Sequence, residues 1–458
     1  MEEKIRELTR RNDVDYLEVR IEDGVESNIV IESKDVEVVK QGNFIGGNVR
    51  VLVDGVWGFV YFTDLDKLPE KIDYAIDQAR SMKNFVHSKT GLAYVKPVEA
   101  KIRAKVKKDP FKVSLSDKVK LLKYYTELAL SFDKRIVSAT AYYKDKFKTL
   151  RFANSEGTYI EQEILDIGGY ILPRASNGKI TERTMVPFGS SETYEVVENL
   201  ELEIRQKSEL AVALLGAEQP VGGEYPVIID QHLGGVFIHE AFGHLSEADF
   251  IFENERLKKI MKIGNKIGSD ILNVVDTGDI QGKRGALLYD DEGVRTRSVN
   301  LIKNGILSGH LHTRETAFKM NEEPTGNARA VNFRFAPIPR MRTTFIQGGN
   351  GKFEDFIKDI KKGIYAKGSF GGQTNGELFT FVSEESYLIE NGEITKLLRD
   401  VSLSGNVFET LKNIVGVADD FTIRDTGGGC GKGGQSPLPV SHGAPHVYIS
   451  KVVVGGKK

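Results

Sequence analysis

The chain has 458 residues, 40% of them hydrophobic and 28% charged, values ordinary for a globular protein with well-developed cores and about two to four domains. Its 63 basic and 65 acidic side chains leave a net charge of −2, which gives no electrostatic case for nucleic acid or an anionic membrane as partner. Cys430 is the only cysteine, so no intrachain disulfide is possible.

In chain order, residues 1–19 are charged and lack the apolar stretch of a secretory signal. Nowhere do roughly 18 apolar residues follow one another, so no membrane helix is expected. With the cysteine content, this points to the cytoplasm. Ile5 and Leu8, with charges between, predict a short helix over 1–12. Runs rich in Val and Ile at 16–21, 28–31, 35–39 and 47–53, separated by Gly and Asp turns, predict strands. Leu68, Ile72, Ala75, Ile76 and Ala79 have helical spacing, with Thr63 or Asp64 as cap. A similar order follows: a helix over 115–132 with Ser116 as cap, strands at 136–143, 147–153, 158–170 and 183–188, and a helix over 195–215.

The segment 217–223 (Ala-Glu-Gln-Pro-Val-Gly-Gly) is the expected domain boundary, followed by a strand from Tyr225. Beyond it glycines are dense and short strand-like runs prevail from 271 to 454, with one helix at 353–363. The expected class is α+β. Residues 1–216 would form α/β layers with mostly antiparallel sheet, and residues 223–458 a β-rich, sandwich- or barrel-like domain.

The candidate chemistry centres on His239-Glu240-Ala241-Phe242-Gly243-His244. Leu233, Val236, Phe237 and Ala241 continue a helical pattern, so the histidines lie on or at the end of a helix. In the familiar zinc helix they stand at i and i+4. Here the spacing is i and i+5, which sets them about 140° apart on a regular helix. One ion can be shared only if the helix widens into a π-bulge or ends near Gly243. Cys430 lies in a loop with six glycines between 427 and 434, a poor setting for a core-filling cysteine. Zinc prefers nitrogen and sulfur ligands, and Lys432 nearby would favour the thiolate. Glu247 and Asp249 are alternatives for the third ligand, or partners that orient a histidine. His442 and His446 could join Cys430 in a separate site, or line the cleft. His87, His232, His310 and His312 have no motif around them and read as ordinary surface or strand histidines.

Two nucleotide readings of the glycine loop fail. A P-loop needs glycine where Thr426 stands and Ser or Thr where Gly433 stands. Gly429, Gly431 and Gly434 match a dinucleotide fingerprint, but Pro437, Pro439 and Pro445 prevent the helix it requires.

The motifs resemble those of the TldD/PmbA family of bacterial and archaeal metallopeptidases. The resemblance rests on 239–244, on Gly-Gly-Gly-Cys-Gly-Lys-Gly-Gly-Gln at 427–435, and on Asp-Asp-Glu-Gly at 290–293. Gly-Asn-Ala-Arg at 326–329, Ala-Pro-Ile-Pro-Arg at 336–340 and 383–392 add to it. It implies an α/β N-terminal region joined to a β-rich peptidase region. In its TldD branch, His239, His244 and Cys430 would be zinc ligands and Glu240 the catalytic glutamate. It implies a dimer, either a homodimer or a heterodimer with a PmbA-type paralogue.

The expected reaction is hydrolysis of extended or unfolded peptides, with Glu240 taking the proton of a zinc-activated water. His442 and Arg340 are candidates for a further donor to the oxyanion. The rival reading is a non-catalytic peptide-binding or scaffold protein with a structural metal.

Overall fold

A computed structural model describes residues 1–85 and 89–456; His87 lies outside the described residues. The chain is α+β. Its first half comprises α1 (Glu2–Thr9), β1 (Tyr16–Glu32), β2 (Asp35–Val53), β3 (Val56–Phe62), α2 (Leu68–Met82), β4 (Glu99–Ile102), α3 (Leu115–Phe132), β5 (Ile136–Asn154), β6 (Tyr159–Ser176), β7 (Thr181–Arg183), β8 (Val186–Ser190) and α4 (Glu201–Leu214). These strands form one sheet in the order β3-β2-β1-β5-β6-β4, with β7 and β8 also on β6. All pairs are antiparallel except β4 with β6.

Alternation explains which face is covered. Ile29 and Ile31 of β1 and Ala139, Ala141 and Tyr143 of β5 point to one side, against Leu122, Tyr125 and Ala129 of α3 and Ile204 of α4. The opposite face of β6 carries Gly168, where Arg284 of the second half of the chain approaches.

The helix over 115–132 has the expected bounds, but its cap is Ser114, whose side chain accepts from the Asp117 amide. Asp64 caps a short turn before α2. Residues 136–154 are one strand rather than two. The helix expected over 353–363 spans Phe353–Lys358 and gives way to the strand Lys362–Lys367.

From β9 (Gly223–Ile229) onward, two larger sheets form. A nine-stranded sheet contains β9 between Lys362–Lys367 and Val447–Gly455, and ends on one side at the strand Gly372–Asn375. A six-stranded sheet includes Val274–Thr277, Thr343–Ile346, Ser441–Ala444 and Thr422–Asp425. Both are open and, among the described residues, no sheet closes into a barrel. No described helix is long and apolar enough to cross a membrane.

Helix α5 (Gln231–Phe237) follows β9 directly and touches both sheets. Asp230 caps it, accepting from the Leu233 amide. Phe237 packs edge-on against Phe379 and Phe381 of the nine-stranded sheet. On the other side Gly234 meets Ala444, and Gly235 meets the ring of His442. A side chain at either glycine would push the helix off the six-stranded sheet.

Gly427 seals the contact between the halves: a Cβ there would stand 1.8 Å from the Gly169 carbonyl oxygen. Its neighbour Gly428 has nothing within 4 Å of a Cβ. Gly427→Ala should therefore destabilise the fold by about 1–3 kcal/mol, as overpacking does, while Gly428→Ala changes it by less than about 0.5 kcal/mol. Urea denaturation of the two variants checks this, and equal effects would contradict the packing described.

Candidate metal centre

Helix α5 does not continue as a regular helix. Residues Ile238–Gly243 wind as a π-helix, and His244–Ser246 form a tight 3-10 turn. The wider winding adds a residue to the turn, so positions i and i+5 come to one side. Gly243 permits the close packing this requires, because a Cβ there would sit 2.0 Å from Met341 Sδ. His239 and His244 face each other at 5.4 Å between ring centroids.

Cys430 arrives on a hairpin, Cys430–Lys432 paired with Gln435–Leu438. Gly433 and Gly434 form its two-residue turn with φ of +56° and +74°, a conformation that favours glycine at both positions. One candidate nitrogen from each of His239 and His244 and the Cys430 sulfur lie within 4.8 Å of one another. Cys430 Sγ is 3.2 Å from His244 Nε2.

Whether these groups suit a metal can be judged from their own contacts. His239 is only 4% exposed, yet neither of its ring nitrogens has a hydrogen-bond partner. Leaving such a group unsatisfied costs about 1–3 kcal/mol, so the site is built for something that pairs with it. Burial would raise the Cys430 thiol, but His239 and then His244 bring it down to about 4. The thiolate is the form that ligates metal.

Glu247 is fully buried, and its Oε2 accepts from His244 Nδ1 at 3.0 Å. That bond fixes the tautomer and leaves Nε2 directed toward Cys430. Glu247 also receives Lys432 Nζ at 2.9 Å and the Met341 amide at 3.2 Å. Burial pushes its carboxyl up, but His244 and Lys432 outweigh burial and hold it at about 2. Lys432 is thus engaged with Glu247 and Asp249 and supports the thiolate only at one remove. Neither Glu247 nor Asp249 belongs to the cluster of potential ligand atoms. Glu240 is 27% exposed at its side chain, and its Oε2 lies 3.7 Å from His244 Nε2.

His239, Glu240 and Cys430 open on a cavity of about 310 Å³ that is also lined by His442, Phe370 and Gly428, among others. His442 is buried and stacked on His232 at 5.6 Å, and its Nε2 has no partner. His232 is therefore a buried wall of the cavity, not a surface histidine. His446 lies elsewhere, between Asp420 and the Tyr365 hydroxyl and stacked on Phe353, so it forms no site with Cys430. Arg340 is spent on the backbone, donating to the carbonyls of Cys430 at 2.8 Å and Gln435 at 3.3 Å. A larger cavity of about 650 Å³ faces the N-terminal sheet and shares only Gly427 and Gly428 with this one.

Arg284 had no signal in the sequence, since isolated arginines are common. It is buried, pairs with Asp166 of β6 at 2.7 Å, and donates to the carbonyls of Thr426 and Gly428. One guanidinium thereby pins the cysteine loop to the N-terminal sheet.

Three family models match the chain: PmbA/TldA metallopeptidase domain 1 over residues 17–83, the central domain over 108–216 and the C-terminal domain over 222–456. A metalloprotease of Synechocystis sp. is 40% identical over 447 residues, covering 97% of this chain and 96% of its own. A zinc metalloprotease TldD homolog of Saccharolobus solfataricus is 30% identical over 453 residues, covering 96% of each. TldE from Thermococcus kodakarensis is similar in fold, with a TM-score of 0.72 at 21% identity and full coverage of both chains.

Glu247→Gln keeps the size of the side chain but loses the charge that orients His244. If His239, His244 and Cys430 hold a metal, this substitution should weaken divalent-metal binding about 10- to 100-fold, measured by competition with a chromophoric chelator. An unchanged affinity would contradict the role given to Glu247.

Proposed function

The chain belongs to the PmbA/TldD family of metallopeptidases, and on that premise we propose that it is a zinc-dependent peptidase acting on extended or unfolded peptides. The peptidase role is assigned to residues 223–458, with His239, His244 and Cys430 as metal ligands and Glu240 as catalytic residue. The observation that carries the assignment is the buried His239 ring, whose nitrogens have no hydrogen-bond partner although candidate ligand atoms of His244 and Cys430 lie within 4.8 Å.

A bound zinc ion would supply Lewis acidity, acidifying water and polarising a scissile carbonyl. The rest falls to the protein. Glu240 reaches into the cavity with its carboxylate partly open, so it can take the proton of the attacking water and return it to the leaving amine. Burial, with His232 and His239 nearby, holds His442 well below the usual imidazole range and therefore neutral. It lines the cavity, and its ring is the proposed donor to the oxyanion that develops on the carbonyl. Arg340, committed to the cysteine loop, is not proposed for that task.

An extended substrate is favoured by the strand Gly372–Asn375. It closes one end of the nine-stranded sheet, and Thr374 Oγ1 donates to the Glu240 carbonyl at 2.8 Å. An edge strand beside the catalytic glutamate can pair with a peptide backbone regardless of its side chains. Gly371 and Gly372 belong to this region, whereas Gly349 bonds to Ala418 and has no part in it. A second copy or a PmbA-type paralogue is the proposed partner, and the cytoplasm the proposed location.

Glu240→Gln separates this reading from a scaffold with a structural metal. Turnover of an unstructured peptide should fall by about 10²–10⁴-fold with zinc content unchanged. A variant as active as the parent would refute the assignment, as would equal cleavage of a protein in its folded and unfolded forms for the substrate class.

A further inference from the structure

A second group of ligating side chains lies away from the cavity. His310 and His312 are 2% and 1% exposed, and both turn toward Glu322. His310 Nδ1 is 3.0 and 3.1 Å from the two carboxylate oxygens, and His312 Nε2 is 3.1 Å from one of them. The far nitrogens are also engaged. His310 Nε2 donates to the Met261 carbonyl at 2.8 Å, and His312 Nδ1 meets Thr316 Oγ1 at 3.1 Å.

The protons do not balance for neutral rings. A carbonyl only accepts, so the His310 proton resides on Nε2 and Nδ1 presents a lone pair. That lone pair faces a carboxylate, which also only accepts. Either a second ring proton or a cation lies between them. We propose that it is a divalent cation of the zinc type, held by His310 Nδ1, His312 Nε2 and Glu322, three residues whose candidate ligand atoms lie within 4.8 Å of one another. Nitrogen and oxygen ligands at about 2.0–2.2 Å from a tetrahedral ion stand about 3.3 Å from one another, within a few tenths of an ångström of the separations observed here. Each ring has its other nitrogen secured by an oxygen, the arrangement that orients ligating histidines. Glu322 is 24% exposed at its side chain, which leaves a route for the ion and room for water as a further ligand.

The site has a purpose in the fold. Leu311, between the two histidines, donates its amide to the Ser246 carbonyl at 2.8 Å and accepts from the Ala248 amide at 3.0 Å. These bonds clamp Glu247, the residue that orients His244. A cation at His310 and His312 would therefore stiffen the segment that positions a ligand of the first centre, without touching substrate.

Zinc stoichiometry tests this independently of the peptidase assignment. Equilibrium dialysis against micromolar zinc would be run on wild type, Glu322→Gln and the double variant His239→Ala/Cys430→Ala, each checked for its fold by circular dichroism. Wild type should retain about two equivalents per chain, and each variant about one. A single equivalent in wild type, kept by Glu322→Gln and lost by the double variant, would overturn this second site: a proton would then fill the gap between His310 and Glu322. A single equivalent kept by the double variant and lost by Glu322→Gln would support it and overturn the first centre instead. If the double variant fails to fold, the comparison of wild type with Glu322→Gln alone decides, since equal zinc in both overturns the proposal.

Discussion

The winding of one and a half turns of backbone governs where everything else in the centre can stand. Two imidazoles five residues apart diverge on a regular helix, and the π-helix over Ile238–Gly243 turns them to a common side. Such a segment is strained relative to an α-helix, so its surroundings must hold it. Asp230 caps α5, Gly234 and Gly235 let the helix lie on the six-stranded sheet, and Gly243 admits Met341 against the backbone. The Ser246 hydroxyl then donates to the Phe242 carbonyl, easing the exit from the wide turn.

The second requirement is that a thiol 186 residues from His244 be delivered to the same point. Buried arginines do this through the backbone. Arg340 grips the Cys430 carbonyl, Arg329 donates to the carbonyls of Met341 and Pro439, and Arg284 ties Thr426 and Gly428 to β6. Asp276 and Asn327 support this frame, with Asn327 bonded to both Asp276 and the Arg340 carbonyl. The segments 326–329 and 336–340, which mark the family in the sequence, thus form the scaffold of the cysteine hairpin. Their residues act on the site by holding its backbone. The N-terminal sheet also contributes: Gly168 leaves space for Arg284, and Gly427 lies against the Gly169 backbone, so the first half of the chain is part of the frame that holds the thiol.

The sequence carried the meeting of His239, His244 and Cys430 better than what holds them there. The i and i+5 spacing forced a departure from regular helix near Gly243, and the π-helix lies there. The single cysteine among glycines read as a functional loop, and it stands beside His244. Strand alternation gave the α+β class and the antiparallel N-terminal sheet. What stayed hidden depends on contacts between distant residues. Lys144 to Lys146, two lysines and an aspartate, fall in the expected break between strands, but strand β5 runs through them, and Asp145 finds a buried partner in Lys118 of α3. Glu247 was legible as a third ligand or a partner of a histidine, and only its burial against His244 and Lys432 decides for the second. His310 and His312 have no motif around them and yet are buried against Glu322. Their i and i+2 spacing in an extended segment, which puts both on one side, was the available signal.

Three side chains from two distant parts of the chain binding one metal ion is the claim on which the rest turns. Absorption spectroscopy of the cobalt(II)-loaded protein tests it most directly, because a thiolate ligand adds a sulfur-to-metal charge-transfer band that nitrogen and oxygen ligands do not produce. The account predicts that band in the wild-type protein and its loss in Cys430→Ser. Cobalt bound by the wild type without the band, or a band that persists in Cys430→Ser, would contradict it.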